Sequence, residues 1–202
     1  MPGFDVLRPR QGGDIQRLRA RLGPAARAPP TYPMKEAVLD QTIAIKRATR
    51  ENIDAIAHIV ASNRDDQGLF QKSASSIADV LAEFLVARLS DGTIVGCAAL
   101  HRDQADLAEM YSVAVLPQAQ GRGVGRALIE ACLDRARRDG IRTLWLATMR
   151  TEFFARHGFV SGSKWSLSLR VLRRKLRMVF EQPASRWLGT LFGRHTFMWR
   201  HL

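Results

Sequence analysis

The chain has 202 residues, 46% hydrophobic and 25% charged, enough for one domain with a real core and too few for two comfortable ones. It has no apolar run long enough to cross a membrane as a helix, and residues 1–10 lack the apolar stretch of a secretion signal, so neither class is expected. The net charge of +12 sits in the ends: residues 37–163 hold 15 basic and 15 acidic groups, residues 1–36 hold 7 and 3, and residues 164–202 hold 9 and 1, which argues against a general polyanion binder.

Residues 1–40 are expected to form a basic tail, because Gly12-Gly13, Gly23-Pro24 and Pro29-Pro30 interrupt any long element. Regular patterning starts at Gln41. Residues 42–48 read as a strand, and Thr49 can cap a helix over 50–61 with Ile53, Ile56, Ala57 and Val60 on one face. A second helix is expected over 73–83. Strands over 84–89 and 93–100 are joined by the turn Ser90-Asp91-Gly92. The next strand, 107–115, is ended by Pro117. A helix over 126–139 turns Leu128, Ile129, Cys132, Leu133 and Ala136 inward and closes at Gly140. A strand over 143–148, a short helix over 151–157 and a strand starting at 159–160 follow. This order predicts an α/β domain of mixed sheet and helices. Cys97 and Cys132 fall inside elements and read as reduced, structural thiols of a cytoplasmic protein.

The chemistry concentrates between Val113 and Arg126, where a strand runs through Pro117 into a glycine-rich turn that opens a helix. A helix N-terminus presents free N–H groups and a positive dipole end. Gly121, Gly123 and Gly125 remove side chains there, so a pyrophosphate can approach the backbone, and Arg122 and Arg126 add charge. The spacing fits neither the phosphate loop of nucleotide hydrolases nor the dinucleotide fingerprint. A glycine-containing turn without a ligand is the alternative.

Gln120-Gly121-Arg122-Gly123-Val124-Gly125 resembles the pattern (Gln/Arg)-x-x-Gly-x-(Gly/Ala) of the GNAT acetyltransferases, and residues 42–160 follow that family's order of elements. The resemblance implies a GNAT fold: a mixed, mostly antiparallel twisted sheet with a splayed central strand, helices on both faces, and here a C-terminal helical arm. It further implies acetyl-CoA as co-substrate and no metal. Gln120, Gly121, Arg122, Gly123, Val124, Gly125 and Arg126 would hold the pyrophosphate. Val113, Ala114 and Val115 would meet the pantetheine arm as an added strand would, with Phe154 nearby.

Within that superfamily, 108–115 (Ala-Glu-Met-Tyr-Ser-Val-Ala-Val) and 146–159 (Leu-Ala-Thr-Met-Arg-Thr-Glu-Phe-Phe-Ala-Arg-His-Gly-Phe) resemble the acetyltransferase domain of N-acetylglutamate synthases. That resemblance makes Glu109 a candidate general base, needed because an amine of pKa near ~10 is protonated at neutral pH and cannot attack a thioester. By strand alternation Glu109 shares a face with Leu107, Val113 and Val115, where a carboxylate has a raised pKa or a partner. A structural salt bridge, or a local bulge turning it to solvent, is the alternative. Many family members place a tyrosine acid where this chain has Phe154, and the synthases can carry a serine where it has Ala147, so no general acid is assigned. The ending, 193–202, can be laid on the synthases' terminal strand. Thr196–Arg200 would then complete the sheet, and Arg194 would either bind the carboxylate of an amino-acid acceptor such as glutamate or cap the preceding helix.

The five histidines show no ligand spacing, and His157 lies where it can complement a helix dipole. Residues 167–180 form a basic amphipathic pattern within an arm over 164–192. The expected partners are acetyl-CoA and a small amine or amino acid, with a homodimer allowed. The competing reading is a non-catalytic acetyl-CoA-binding module that docks on a membrane surface or nucleic acid through this arm.

Overall fold

The computed structural model describes residues 42–63, 72–163 and 195–202, all within one compact unit, Tyr32–Leu202. The basic tail and the helical arm lie outside the described residues. In chain order the elements are β1 (Ala44–Arg47), α1 (Ile53–Ser62), α2 (Ala74–Asp79), β2 (Phe84–Arg88), β3 (Ile94–Arg102), β4 (Leu107–Val115), α3 (Val124–Arg138), β5 (Thr143–Thr148), α4 (Thr151–Ala155), β6 (Val160–Ser161) and β7 (Thr196–His201). Where expected bounds shift, the cause is local. The first turn ahead of α1, Arg50–Asn52, is a 3-10 turn fixed by the Thr49 N–H donating to Asn52 Oδ1 at 2.9 Å. The helix expected over 73–83 stops at Asp79, because Val80 leaves helical geometry (φ −119°, ψ 22°) and a 3-10 turn, Leu81–Glu83, leads into β2.

The strands form one sheet in the order β1-β2-β3-β4-β5-β7-β6. Every neighbouring pair is antiparallel except β4 and β5, which are parallel. The core strands β2 and β3 are buried along most of their length, as near-continuous apolar runs require.

Two irregularities fall at the sheet's centre. The β4–β5 pairing covers only Leu107↔Thr143, Ala108↔Leu144 and Glu109↔Trp145, although both strands continue. Past that row β4 runs on with β3 and β5 with β7, so the sheet opens between them. The second irregularity is a bulge in β4. Tyr111 pairs with Ala99 and Ala114 with Cys97, so Ser112 and Val113 together oppose Ala98, and Ser112 takes φ +50°. A bulge bends its strand and sharpens the twist, and this one lies just beyond the last β4–β5 pair.

Helix α3 packs across β3 and β4, with Leu128, Ile129, Cys132, Leu133 and Ala136 buried as the 3.6-residue period requires. Its approach depends on Gly96 of β3, where a Cβ would lie 3.0 Å from Leu128 Cδ1 and 3.1 Å from both Val124 Cγ1 and the Ala114 carbonyl. Gly96→Ala is therefore expected to lower stability by about 1–3 kcal/mol, read by urea unfolding, because helix or strand must retreat. A loss below about 0.5 kcal/mol would mean that α3 shifts freely.

Candidate active site

The turn before α3 has the backbone its glycines allow. Gly121 and Gly123 take φ +77° and +79°, a region that side-chain-bearing residues rarely adopt, and a Cβ at either would meet nothing within 4 Å. Gly123 is the N-cap of α3 and no side chain caps that end. The first intrahelical bond begins at the Ala127 N–H, which donates to the Gly123 carbonyl at 2.9 Å. The amides of Val124, Gly125 and Arg126 therefore have no intrahelical partner at the positive dipole end, the chemistry of an anion site. The third glycine serves another purpose. A Cβ on Gly125 would lie 3.1 Å from Phe153 Cζ, so its absence lets α4 pack against α3.

Gln120 is exposed, but its side chain turns back onto the end of β4. Its Nε2 donates to Asn63 Oδ1 and to the Val115 carbonyl, both at 3.1 Å, while Asn63 Nδ2 donates to the same carbonyl at 3.0 Å and to Ile59 O at 2.8 Å. The side chain expected to touch the cofactor thus ties the end of β4 to α1. Asn63, 2% exposed, gave no signal in the sequence because the partners that make it a tie, the Val115 carbonyl and the Gln120 amide, are more than fifty residues away along the chain. With both lone pairs of the Val115 carbonyl occupied, the β4 edge left for an added strand lies at Val113 and Ala114. Phe154 is buried, edge-on to Phe153 and Phe159, as part of the core. Arg126 is exposed and its Nε donates to Glu130 Oε1 at 2.7 Å, along the helix. It also borders a groove of about 810 Å³ with Arg137, Arg156, His157 and Arg200. Arg122 is half-buried and engaged. Arg194 lies outside the described residues.

Glu109 is 1% exposed and sits in the last row before β4 and β5 part. That row runs His101↔Glu109↔Trp145↔Trp199, residues that share one face of the sheet. The bulge at Ser112 reverses the alternation beyond it, so Glu109 shares its face with Tyr111 and Ala114. Val113 and Val115 are on the other side, which corrects the alternation expected from sequence. Around Glu109 is a polar cluster that sequence patterning did not reveal. Glu83 Oε1 lies 2.7 Å from His101 Nδ1, and Glu83 Oε2 accepts from the Tyr111 hydroxyl at 2.5 Å. Trp145 Nε1 donates to Asp103 Oδ2 at 2.8 Å, and the Lys72 ammonium stands 5.2 Å from the Tyr111 ring centroid. The only hint in the sequence is spacing along β3 and β4, since Glu83 comes from a turn that periodicity does not place.

Burial lowers the His157 pKa, and Arg126, Arg200 and Arg156 add to this against the opposing pull of Glu130, so the site disfavours the cation that would complement a helix dipole. Both thiols are fully buried, and burial pushes each up to about 12, which removes them as nucleophiles at neutral pH. Among the described residues, no group of three His, Cys, Asp or Glu could hold a metal ion.

Residues 50–159 match the acetyltransferase (GNAT) family. The chain belongs to that family. It is 36% identical over 128 residues to an amino-acid acetyltransferase of Mycobacterium tuberculosis, an alignment spanning 62% of this chain and 73% of that protein. An amino-acid acetyltransferase of Neisseria meningitidis serogroup B is 34% identical over 124 residues, covering 60% of this chain and 28% of that one. Among solved structures, a Mycobacterium tuberculosis protein in complex with CoA superposes with a TM-score of 0.64 at 28% identity, covering 79% of this chain and 99% of that one. The Neisseria gonorrhoeae N-acetylglutamate synthase complexed with coenzyme A and N-acetyl-glutamate gives 0.62 at 28% identity, covering 80% and 35%. The chain spans about a third or less of these Neisseria proteins.

In this GNAT chain the seam between α1, β4 and the glycine turn rests on Asn63. Asn63→Ala removes the donor to two backbone carbonyls and the acceptor for Gln120, and is expected to cost about 1–3 kcal/mol. Chemical denaturation tests it. An unchanged midpoint would mean that water replaces the amide at no cost.

Proposed function

We propose that the chain transfers an acetyl group from acetyl-CoA to the amine of an amino acid by direct attack in a ternary complex, with residues 41–163 as the acetyltransferase core of a cytoplasmic enzyme. The observation that carries this reading is the position of Glu109, buried at the apex where β4 and β5 separate, on the strand that leads into the uncapped amides of α3. Relatives bound to CoA, and relatives named as amino-acid acetyltransferases, support the co-substrate and the acceptor class.

Acetyl-CoA supplies the activated thioester. The amides of Val124, Gly125 and Arg126, with the open backbone at Gly121 and Gly123, hold its pyrophosphate. The unpaired β4 edge at Val113 and Ala114 receives the amide-bearing arm as an added strand. Glu109 takes a proton from the acceptor ammonium, so that the nitrogen lone pair can attack the carbonyl carbon. The carbon–nitrogen bond forms as the carbon–sulfur bond breaks, and CoA departs as a thiol or thiolate. The buried thiols at 97 and 132 take no part, which favours direct transfer over an acyl-enzyme. Arg194 is assigned to the acceptor's carboxylate by the likeness of the chain's ending to the synthases.

Glu109→Gln is expected to lower kcat by about two to four orders of magnitude while acetyl-CoA affinity, measured by titration calorimetry, stays unchanged. A loss under threefold would place Glu109 in a structural role. Assays on glutamate, other amino acids, polyamines and peptides should show turnover on an amino acid, with a raised Michaelis constant for it in Arg194→Ala. Preference for a polyamine or peptide would sink the amino-acid assignment and leave acetyl transfer standing.

A further inference from the structure

Proton stoichiometry makes a demand that Glu109 does not meet alone. An ammonium nitrogen enters with three protons and leaves, as a secondary amide, with one. One of the two released protons can neutralise the departing thiolate, and the other must reach solvent in every turnover. At 1% exposure, Glu109 cannot hand that proton directly to bulk water.

The side chain directly opposite Glu109 on β3 is His101. Facing residues of an antiparallel pair hold their Cβ atoms about 5 Å apart, within reach of a side-chain proton transfer, direct or through one water. The imidazole is 30% exposed and so joins the buried carboxylate to solvent. Its orientation is fixed from behind, with Nδ1 lying 2.7 Å from Glu83 Oε1 while Glu83 Oε2 holds the Tyr111 hydroxyl at 2.5 Å. A carboxylate on one ring nitrogen sets the tautomer and leaves the other nitrogen to exchange protons. Nε2 is 3.9 Å from Asp103 Oδ1, too far for a hydrogen bond. The Asp103 side chain is only 2% exposed and accepts from Trp145 Nε1. Among the described residues, charged groups packed on the Glu83–Tyr111 side include Lys72, over the Tyr111 ring, and Arg135, whose guanidinium donates to the Glu83 and Ala82 carbonyls.

We propose that His101, oriented by Glu83, is the proton exit of this active site. The inference rests on the acetyltransferase reading with Glu109 as base. Glu109 gains a proton from the acceptor ammonium and passes it to the free imidazole nitrogen, and the imidazolium releases it to solvent, returning both groups to their starting states. Glu83 and His101 are positioning and relay groups that touch neither co-substrate.

The test is the buffer dependence of turnover. His101→Gln should lower kcat about tenfold or more, leave both Michaelis constants within twofold, and recover as imidazole buffer is raised, while the wild type ignores buffer concentration. Glu83→Gln should show a smaller loss with the same recovery, and decides the matter by itself if His101→Gln fails to fold by circular dichroism. A kcat within threefold of wild type, or a loss that no small buffer base restores, overturns the proposal. If Glu109→Gln is inactive while His101→Gln matches wild type, only this inference falls. If wild type acetylates no amine, the underlying reading falls with it.

Discussion

The site depends on the parting of β4 from β5 after the Glu109–Trp145 row. A sheet does not open at its centre without cost, because the strands past that row lose each other's N–H and C=O groups. The bulge at Ser112 and Val113 supplies the mechanical reason. β4 must keep its ladder with β3 on one side, and the extra residue bends it away from β5 on the other. The opening is held as well as made. β5 is fixed along its whole length by β7, and the end of β4 is fixed by the Asn63 and Gln120 amides on the Val115 carbonyl. A ligand with amide groups along its length can pair with such an edge, and the proposed reading uses it that way, with Glu109 at the apex.

Much of the framework was legible because it follows from local rules. The strand 107–115 and the strand 143–148 appear at the expected bounds, and α3 buries the five side chains its periodicity nominated. The glycine turn was legible as a phosphate-type feature for the same reason, since positive φ and an uncapped helix start are properties of a short segment. The bulge was not legible. Tyr111-Ser112-Val113 alternates like any regular strand, and the extra residue exists only relative to β3. One unseen residue moved Glu109 to the opposite face from Val113 and Val115. The polar cluster escaped for a related reason: Glu83, His101 and Tyr111 come from a turn and two strands, and only the register brings them together.

The motif's residues divide their labour in ways its consensus does not state. Gly121 and Gly123 provide backbone geometry and clearance, Gly125 provides room for Phe153, and Gln120 provides a hydrogen-bonded anchor to Asn63 and β4. Only part of the pattern therefore leaves backbone amides open to a ligand. The rest secures the helix start against α4 on one side and α1 on the other, so the amides stay aimed when nothing else restrains them.

Helix α3 joins these two halves. Its first turn has no acidic residue, whereas its last carries Arg135, Arg137 and Arg138, so the dipole is compensated only at the end remote from the glycine turn and the positive end stays available. At the compensated end Arg135 donates to the Glu83 and Ala82 carbonyls at 3.0 Å, and Glu83 in turn holds His101 and Tyr111 beside Glu109. Fifteen helical residues, roughly 22 Å of rigid rod, thus fix the glycine turn at one end and the support of the Glu109 row at the other. A shift of α3 against the sheet would disturb both together, and the close approach at Gly96 is what prevents it.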